Sequence, residues 1–194
     1  VECISFAGEH HFLAITHKYT TGAPHFIETG HIEPSDLSQE QINNFAKEIF
    51  KALDALKIEN GASHCEFKVT PNGKMMIVEI GARMGGDCIG SHLVELSTSQ
   101  DYLKMVIEVS CGNPPTINTK EEIKYSYIKF IFNESDLECL NKVKQENPKE
   151  IVFISDIKDI HSHKIVDSST RFGFFIGTTT DKEKVYSIFS NEER

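Results

Sequence analysis

Residues 64–70 (HCEFKVT) and 75–81 (MMIVEIG) are two runs of strand-forming side chains on either side of Pro71-Asn72-Gly73-Lys74. An Asn-Gly step flanked by such runs is a strong short-range signal for a β-hairpin. Either Thr70 pairs with Met75 across a four-residue loop, or Pro71 pairs with Lys74 across a two-residue turn. Both registers set Glu66 directly opposite Glu79, and only a bulged three-residue loop slips them. Strict alternation then sends Cys65, Phe67, Val69, Met76, Val78 and Ile80 to an apolar face expected in the core. Glu66, Lys68, Thr70, Ile77, Glu79 and Gly81 point to the other face.

Residues paired across neighbouring strands have Cβ atoms roughly 4.5–5.5 Å apart, and like charges in that position destabilise a sheet. Three arrangements relieve the repulsion of two facing glutamates. The pair lies on a solvated face and is screened, with Lys68 beside Glu66. It shares a proton, as paired carboxylates in acid–base catalysis do. Or it holds a hard divalent cation, since magnesium is commonly bound by one or two carboxylates together with substrate phosphates.

Composition narrows the partners. The formal net charge is −9 and the lysines and arginines are scattered, which argues against nucleic-acid binding through phosphates. No apolar run approaches the roughly 18 residues that span a bilayer, so no membrane partner is expected. Five separated cysteines match neither a disulfide framework nor a zinc ribbon and point to a reducing cytoplasm. His10-His11 and His161-x-His163 lack zinc-site spacing.

Along the chain, residues 1–7 and 12–18 suit strands. Ser38 and Gln41 form a capping box, and Ile42, Phe45, Ala46, Ile49, Leu53 and Leu56 continue it at helical spacing as far as Gly61. Residues 83–91 (RMGGDCIGS) suit a glycine-rich loop. A second helix is expected from about Ser99 to Gly112, stopped by Pro114 and Pro115. Beyond 116, strands are expected at 125–132, 150–157, 161–167 and 172–178, with helices at 135–146 and 181–190. The class is α+β: a mainly antiparallel sheet with helices on one face over residues 1–115, and a small C-terminal α/β subdomain over 116–194.

The stretch CEFKVTPNGKMMIVEIGARMGGD, residues 65–87, resembles the metal-binding hairpin of the ATP-grasp superfamily. It is most similar to the carboxylate–amine, L-amino-acid-ligase-like branch, in the C-terminal half of the catalytic domain. The resemblance covers residues 1–115 best, and RFGFFIGTTTDKEKV is similar to the ending of many members. It implies that Glu66 and Glu79 are metal ligands for Mg²⁺, or Mn²⁺, against the phosphates of ATP. It implies that Arg83 is the catalytic arginine beside the acyl phosphate and developing oxyanion, a task suited to a planar, permanently charged fork. Glu28 and His31, in ETGHIEP, match a substrate-facing pair. Lys18, Gly85 and Gly86 are candidates for approach to the nucleotide, and Glu2 occupies a similar strand position. Two positions depart from the pattern: Gly81 stands where many members carry an asparagine ligand, and Ser99-Gln100-Asp101 where they carry Gly-x-Asp.

The implied activity is an ATP- and Mg²⁺-dependent carboxylate–amine ligase that forms an amide through an acyl phosphate. Its partners are a small-molecule acid and amine; the oligomeric state is left open, with a homodimer among the options. Carbamoyl-phosphate-type and purine-pathway ligations use the same scaffold. Val1 already lies in a strand-like run, so the chain is read as a fragment lacking the family's N-terminal adenine clamp, expected to bind ATP weakly and not to turn over alone. A non-catalytic metal- or metabolite-binding module is the alternative, with Gly81 as the mark of a decayed site.

Overall fold

The computed structural model describes residues 1–118 and 124–190. The chain forms two compact units, Val1–Ile15 with Ser35–Glu122, and Thr16–Pro34 with Ile123–Arg194. Among the described residues, every strand pairing in both is antiparallel. Among the described residues, no helix is long and apolar enough to cross a membrane.

The first unit is built on β1 (Glu2–Phe6), β2 (Glu9–Ala14), β5 (Gly61–Val69) and β6 (Met75–Gly81), in the order β2-β1-β5-β6. Alternation along β1 and β5 makes two apolar faces. On one, Cys3 and Cys65 pack with Ile49 and Leu53 of α1 (Gln39–Ala55). The Ser38 capping box starts this helix as expected. On the other face, Ile4 and Ala62 pack with Val94 of α2 (Val94–Thr98) and with Tyr102, Met105 and Val109 of α3 (Tyr102–Ser110). The α+β antiparallel class stands, but helices cover both faces of this sheet rather than one. The reason lies in Ile4 and Ala62, which are apolar on the face opposite Cys3 and Cys65 and need their own cover.

Residues 83–91 are not wholly loop. A π-type turn over Ile89–Leu93 runs directly into α2. Cys88 precedes it at φ 62°, a left-handed conformation rare outside glycine and asparagine. α1 closes at Leu56, followed by Lys57 at φ 56°, and Gly61 belongs to the next strand. Asp101 caps α3 by accepting from the Lys104 amide.

The second unit holds β3 (His17–Thr20), β4 (Glu28–Glu33), β7 (Tyr125–Phe130), β8 (Ile151–Ile154) and β9 (Phe174–Thr179), in the order β3-β4-β7-β9-β8. Helices α4 (Glu134–Glu146) and α5 (Lys182–Ser187) contribute Leu140, Val143 and Val185 to a core with Tyr19, Ile32, Tyr127 and Phe175. Here the observed division differs from the one expected at 115/116. Residues 16–34 pack with the C-terminal segment because Gly30, His31, Ile32 and Glu33 pair with Lys129, Ile128, Tyr127 and Ser126. The single strand expected over 12–18 is two strands in two sheets, because the chain changes sheet at Ile15–Thr16 with no turn residue to mark it. Residues 161–167 form no strand. Asp167 accepts from the Ser169 and Thr170 amides, and His163 bonds the Thr170 carbonyl. Such local bonds compete with ladder pairing.

Candidate metal centre

The hairpin places its two glutamates face to face by an indirect route. The Thr70 amide donates to the Lys74 carbonyl and the Gly73 amide to the Thr70 carbonyl, closing a three-residue loop with Gly73 at φ 76°. Next to that loop, Phe67 opposes Ile77, Lys68 opposes Met76 and Val69 opposes Met75, one residue out of the expected register. A bulge at Val78 then restores the register, so that Glu66 opposes Glu79, Cys65 opposes Ile80 and His64 opposes Gly81.

The slip corrects the expected face of β6. Met75 packs into the core, while Met76 and Val78 are 50% and 61% exposed and Val69 is exposed as well. Cys65, Phe67 and Ile80 remain on the α1 side. Glu66 and Glu79 thus leave the sheet on the face away from that core, Glu66 partly and Glu79 openly exposed.

Behind Glu66 stands a polar cluster that sequence reasoning missed. His64, 3% exposed, lies on the same face two residues earlier. Its Nε2 is 3.1 Å from Glu66 Oε1, and its Nδ1 makes a short contact with Glu2 Oε1. Glu2 is fully buried, opposite His64 on β1, and accepts from the Gly85 amide at 3.0 Å. Tyr102 is buried nearby and donates to the Cys3 carbonyl at 2.8 Å. Burial first, and then the Glu2 carboxylate, push its phenol far up, so it stays a neutral donor. The available signal was the alternation itself: His64 and Glu66, two apart on one strand, must share a face.

Arg83 is exposed just past β6, and its Nη1 donates to the Met84 carbonyl at 2.9 Å. Its side chain lies across Gly81, where an added Cβ would meet Arg83 Cγ at 3.6 Å. The two glycines differ sharply. Gly85 gives its amide to Glu2, and a Cβ there would collide with Glu2 and stand 2.8 Å from His64 Nδ1. At Gly86 a Cβ would meet nothing within 4 Å.

Glu28, His31 and Lys18 belong to the second unit. Lys18 and His31 are paired across β3 and β4. His31 is 1% exposed and packs edge-on against Phe130 at 5.8 Å. Phe130 also carries the Arg171 guanidinium 3.5 Å from its ring centre. Glu28 accepts from the Ser168 hydroxyl at 2.8 Å, and Arg171 donates to its carbonyl at 3.2 Å.

The structure thus brings Glu66, Glu79, His64, Glu2 and Gly85 together in one unit. Among the described residues, no group of three or more His, Cys, Asp or Glu side chains forms a protein-only metal cage. Two hard carboxylates, one of them braced by His64, fit a magnesium ion that takes its other ligands from water and phosphate oxygens.

Residues 4–91 match the family model of the ATP-grasp domain. Alanine–anticapsin ligase of Bacillus subtilis (strain 168) is 35% identical over 86 residues, which are 44% of this chain and 18% of that protein. An L-amino acid ligase from Bacillus licheniformis superposes with a TM-score of 0.77 at 24% identity, over 98% of this chain and 48% of that one. A phosphoribosylglycinamide synthetase from Anaerococcus prevotii gives 0.77 at 20% identity, over 99% and 51%. The chain spans about half the length of these solved structures. The resemblance drawn from residues 65–87 to the ATP-grasp superfamily is borne out by the domain match and by the shared fold.

Proposed function

We propose that this chain, with its ATP-grasp match over residues 4–91, supplies the metal- and phosphate-binding part of an ATP-dependent carboxylate–amine ligase. The observation that carries the reading is the Glu66–Glu79 pair, held opposite one another on the exposed face of the hairpin. Two carboxylates so placed repel, and a hard divalent cation held between them relieves that repulsion.

In this reading ATP, bound with Mg²⁺ or Mn²⁺, would pass its terminal phosphoryl group to an acid to give an acyl phosphate and ADP, and an amine would then displace inorganic phosphate to give the amide. The protein's share is positioning and charge neutralisation. Glu66 and Glu79 would hold the cation. Arg83, exposed and permanently charged, offers its remaining guanidinium donors to an anionic oxygen. Gly86, open on its Cα side, lets an anion approach the backbone, whereas the Gly85 amide is already committed to Glu2. Glu28, His31 and Lys18 are the substrate- and nucleotide-facing candidates of the second unit. The acid and the amine are small molecules.

The test is direct. Mn²⁺ is titrated into the chain and followed by electron paramagnetic resonance, with and without ATP. Glu66→Gln and Glu79→Gln are each expected to weaken Mn²⁺ binding about tenfold or more while the circular dichroism spectrum stays unchanged. Wild-type affinity in both variants would overturn the reading. Cation binding by the wild-type chain, with no effect of either substitution on the ligase activity of a longer protein that contains it, would favour the non-catalytic module.

A further inference from the structure

His64 stands between two carboxylates, one at each ring nitrogen. The inner one, on Glu2, is fully buried and tied by its second oxygen to the Gly85 amide. The outer one, on Glu66, is partly exposed and faces Glu79 across the hairpin. The bonds therefore run in one continuous series from a glycine-rich loop, through a buried carboxylate and an imidazole, to the proposed cation ligand.

We infer that His64 is a positioning residue for the cation site: it fixes the rotamer of Glu66 so that one carboxylate oxygen is held back and the other is presented toward Glu79. The inference rests on the proposed cation-holding role of Glu66 and Glu79. A glutamate has three rotatable bonds, and holding it in one geometry beside a second carboxylate costs rotamer entropy that an unbraced side chain loses on cation binding. Outer partners that orient metal ligands typically change affinity by about 10–100-fold when removed. Glu2 acts one step further back. It orients the imidazole, and Gly85 leaves room for it because any side chain at position 85 would occupy the same space.

The two ring nitrogens make the idea separable from simple packing. The amide nitrogen of asparagine falls near Nδ1 of histidine, and that of glutamine near Nε2. His64→Asn therefore keeps a polar nitrogen beside buried Glu2 and removes the one beside Glu66. His64→Gln keeps the nitrogen beside Glu66 and leaves Glu2 with less support.

The experiment is a Mn²⁺ titration by electron paramagnetic resonance, paired with chemical denaturation, on the wild-type chain, His64→Asn, His64→Gln and Glu79→Gln. The expected result is a dissociation of the two readouts. His64→Asn keeps most of its stability and loses about tenfold or more in Mn²⁺ affinity, whereas His64→Gln binds Mn²⁺ within about threefold of wild type at lower stability. Glu79→Gln does not touch His64 and reports on the cation site alone. If Glu79→Gln binds as wild type does, the cation reading itself fails. If Glu79→Gln is impaired and His64→Asn is not, the cation reading survives and the role of His64 is refuted. Should His64→Asn not fold, ¹⁵N-resolved imidazole resonances of the wild-type chain decide the matter. Diamagnetic Mg²⁺ is expected to shift the Nε2 resonance of His64 with the same saturation as cation binding, and an unmoved resonance overturns the inference.

Discussion

Glu66 lies opposite Glu79 only because Val78, between Ile77 and Glu79, has no partner on β5. The three-residue loop puts the pairs next to it one residue out of step, and the bulge at Val78 takes up the difference. Loop and bulge are two halves of one device, in which each cancels the register error of the other.

Deleting Val78 is therefore expected to preserve the carboxylate pair. Without it the ladder runs from Phe67–Ile77 straight to Glu66–Glu79, with alternation intact on both strands. Mn²⁺ affinity should stay within about threefold of wild type, because the deletion removes a residue the ladder does not use. A tenfold loss would show that the bulge aims Glu79 in some further way.

The loop half of the device depends on Gly73. Its φ of 76° is left-handed, and an added Cβ meets nothing within 4 Å, so any penalty for a side chain is purely backbone. Gly73→Ala should cost about 1–2 kcal/mol in chemical denaturation. Gly73→Asn should cost clearly less, since asparagine visits this conformation more readily. Equal losses in both variants would mean that the loop relaxes to another turn.

Much of this was legible in advance, and the failures share a cause. The capping box at Ser38, the stop after α3 and the Glu66–Glu79 pairing follow from local chemistry or strict alternation, and the structure has all three. Met76 and Val78 were misplaced because alternation cannot register a bulge that depends on which turn closes the hairpin. The break between β2 and β3 was invisible because strand propensity does not name the sheet a strand joins. Glu2 stands out in the sequence only as a strand position, and its contact with His64 is hidden because the two are 62 positions apart in the chain and meet only when β1 pairs with β5.

That same β1–β5 pairing buries Cys3 and Cys65, and burial raises both thiols above the ordinary 9.0. The unfolded chain ionises them near its ordinary value while the folded chain keeps them neutral. Their contribution to stability is therefore whole below about pH 9 and is lost progressively as pH rises beyond it. Unfolding free energy should fall as pH rises above about 9, and fall less in a Cys3→Ala/Cys65→Ala variant. At neutral pH a thiol reagent should label exposed Cys111 in the native state and reach Cys3 and Cys65 only on unfolding. Rapid native-state labelling of either buried thiol would contradict the packing.

Gly85 and Gly86 are adjacent, and the structure assigns them opposite tolerances. A methyl group at 85 enters the space of the Glu2 carboxylate and stands 2.8 Å from His64 Nδ1, and neither neighbour is a freely moving surface side chain, because both are buried. Gly85→Ala must push Glu2 and the imidazole away from the loop, at about 1–3 kcal/mol for forced overpacking. A methyl group at 86 meets open space, and Gly86→Ala should lie within about 0.5 kcal/mol of wild type. The displacement at 85 also moves the ring that braces Glu66. Gly85→Ala should therefore weaken Mn²⁺ binding by several-fold in the folded protein, measured where denaturation shows the variant to be intact. Gly86→Ala should leave cation binding by the carboxylates unchanged and lower only the nucleotide-dependent part of the affinity. A Gly85→Ala variant as stable as wild type and binding Mn²⁺ equally well would show that Glu2 and His64 have room to spare, and that the series from loop to carboxylate does not depend on a bare Cα at position 85.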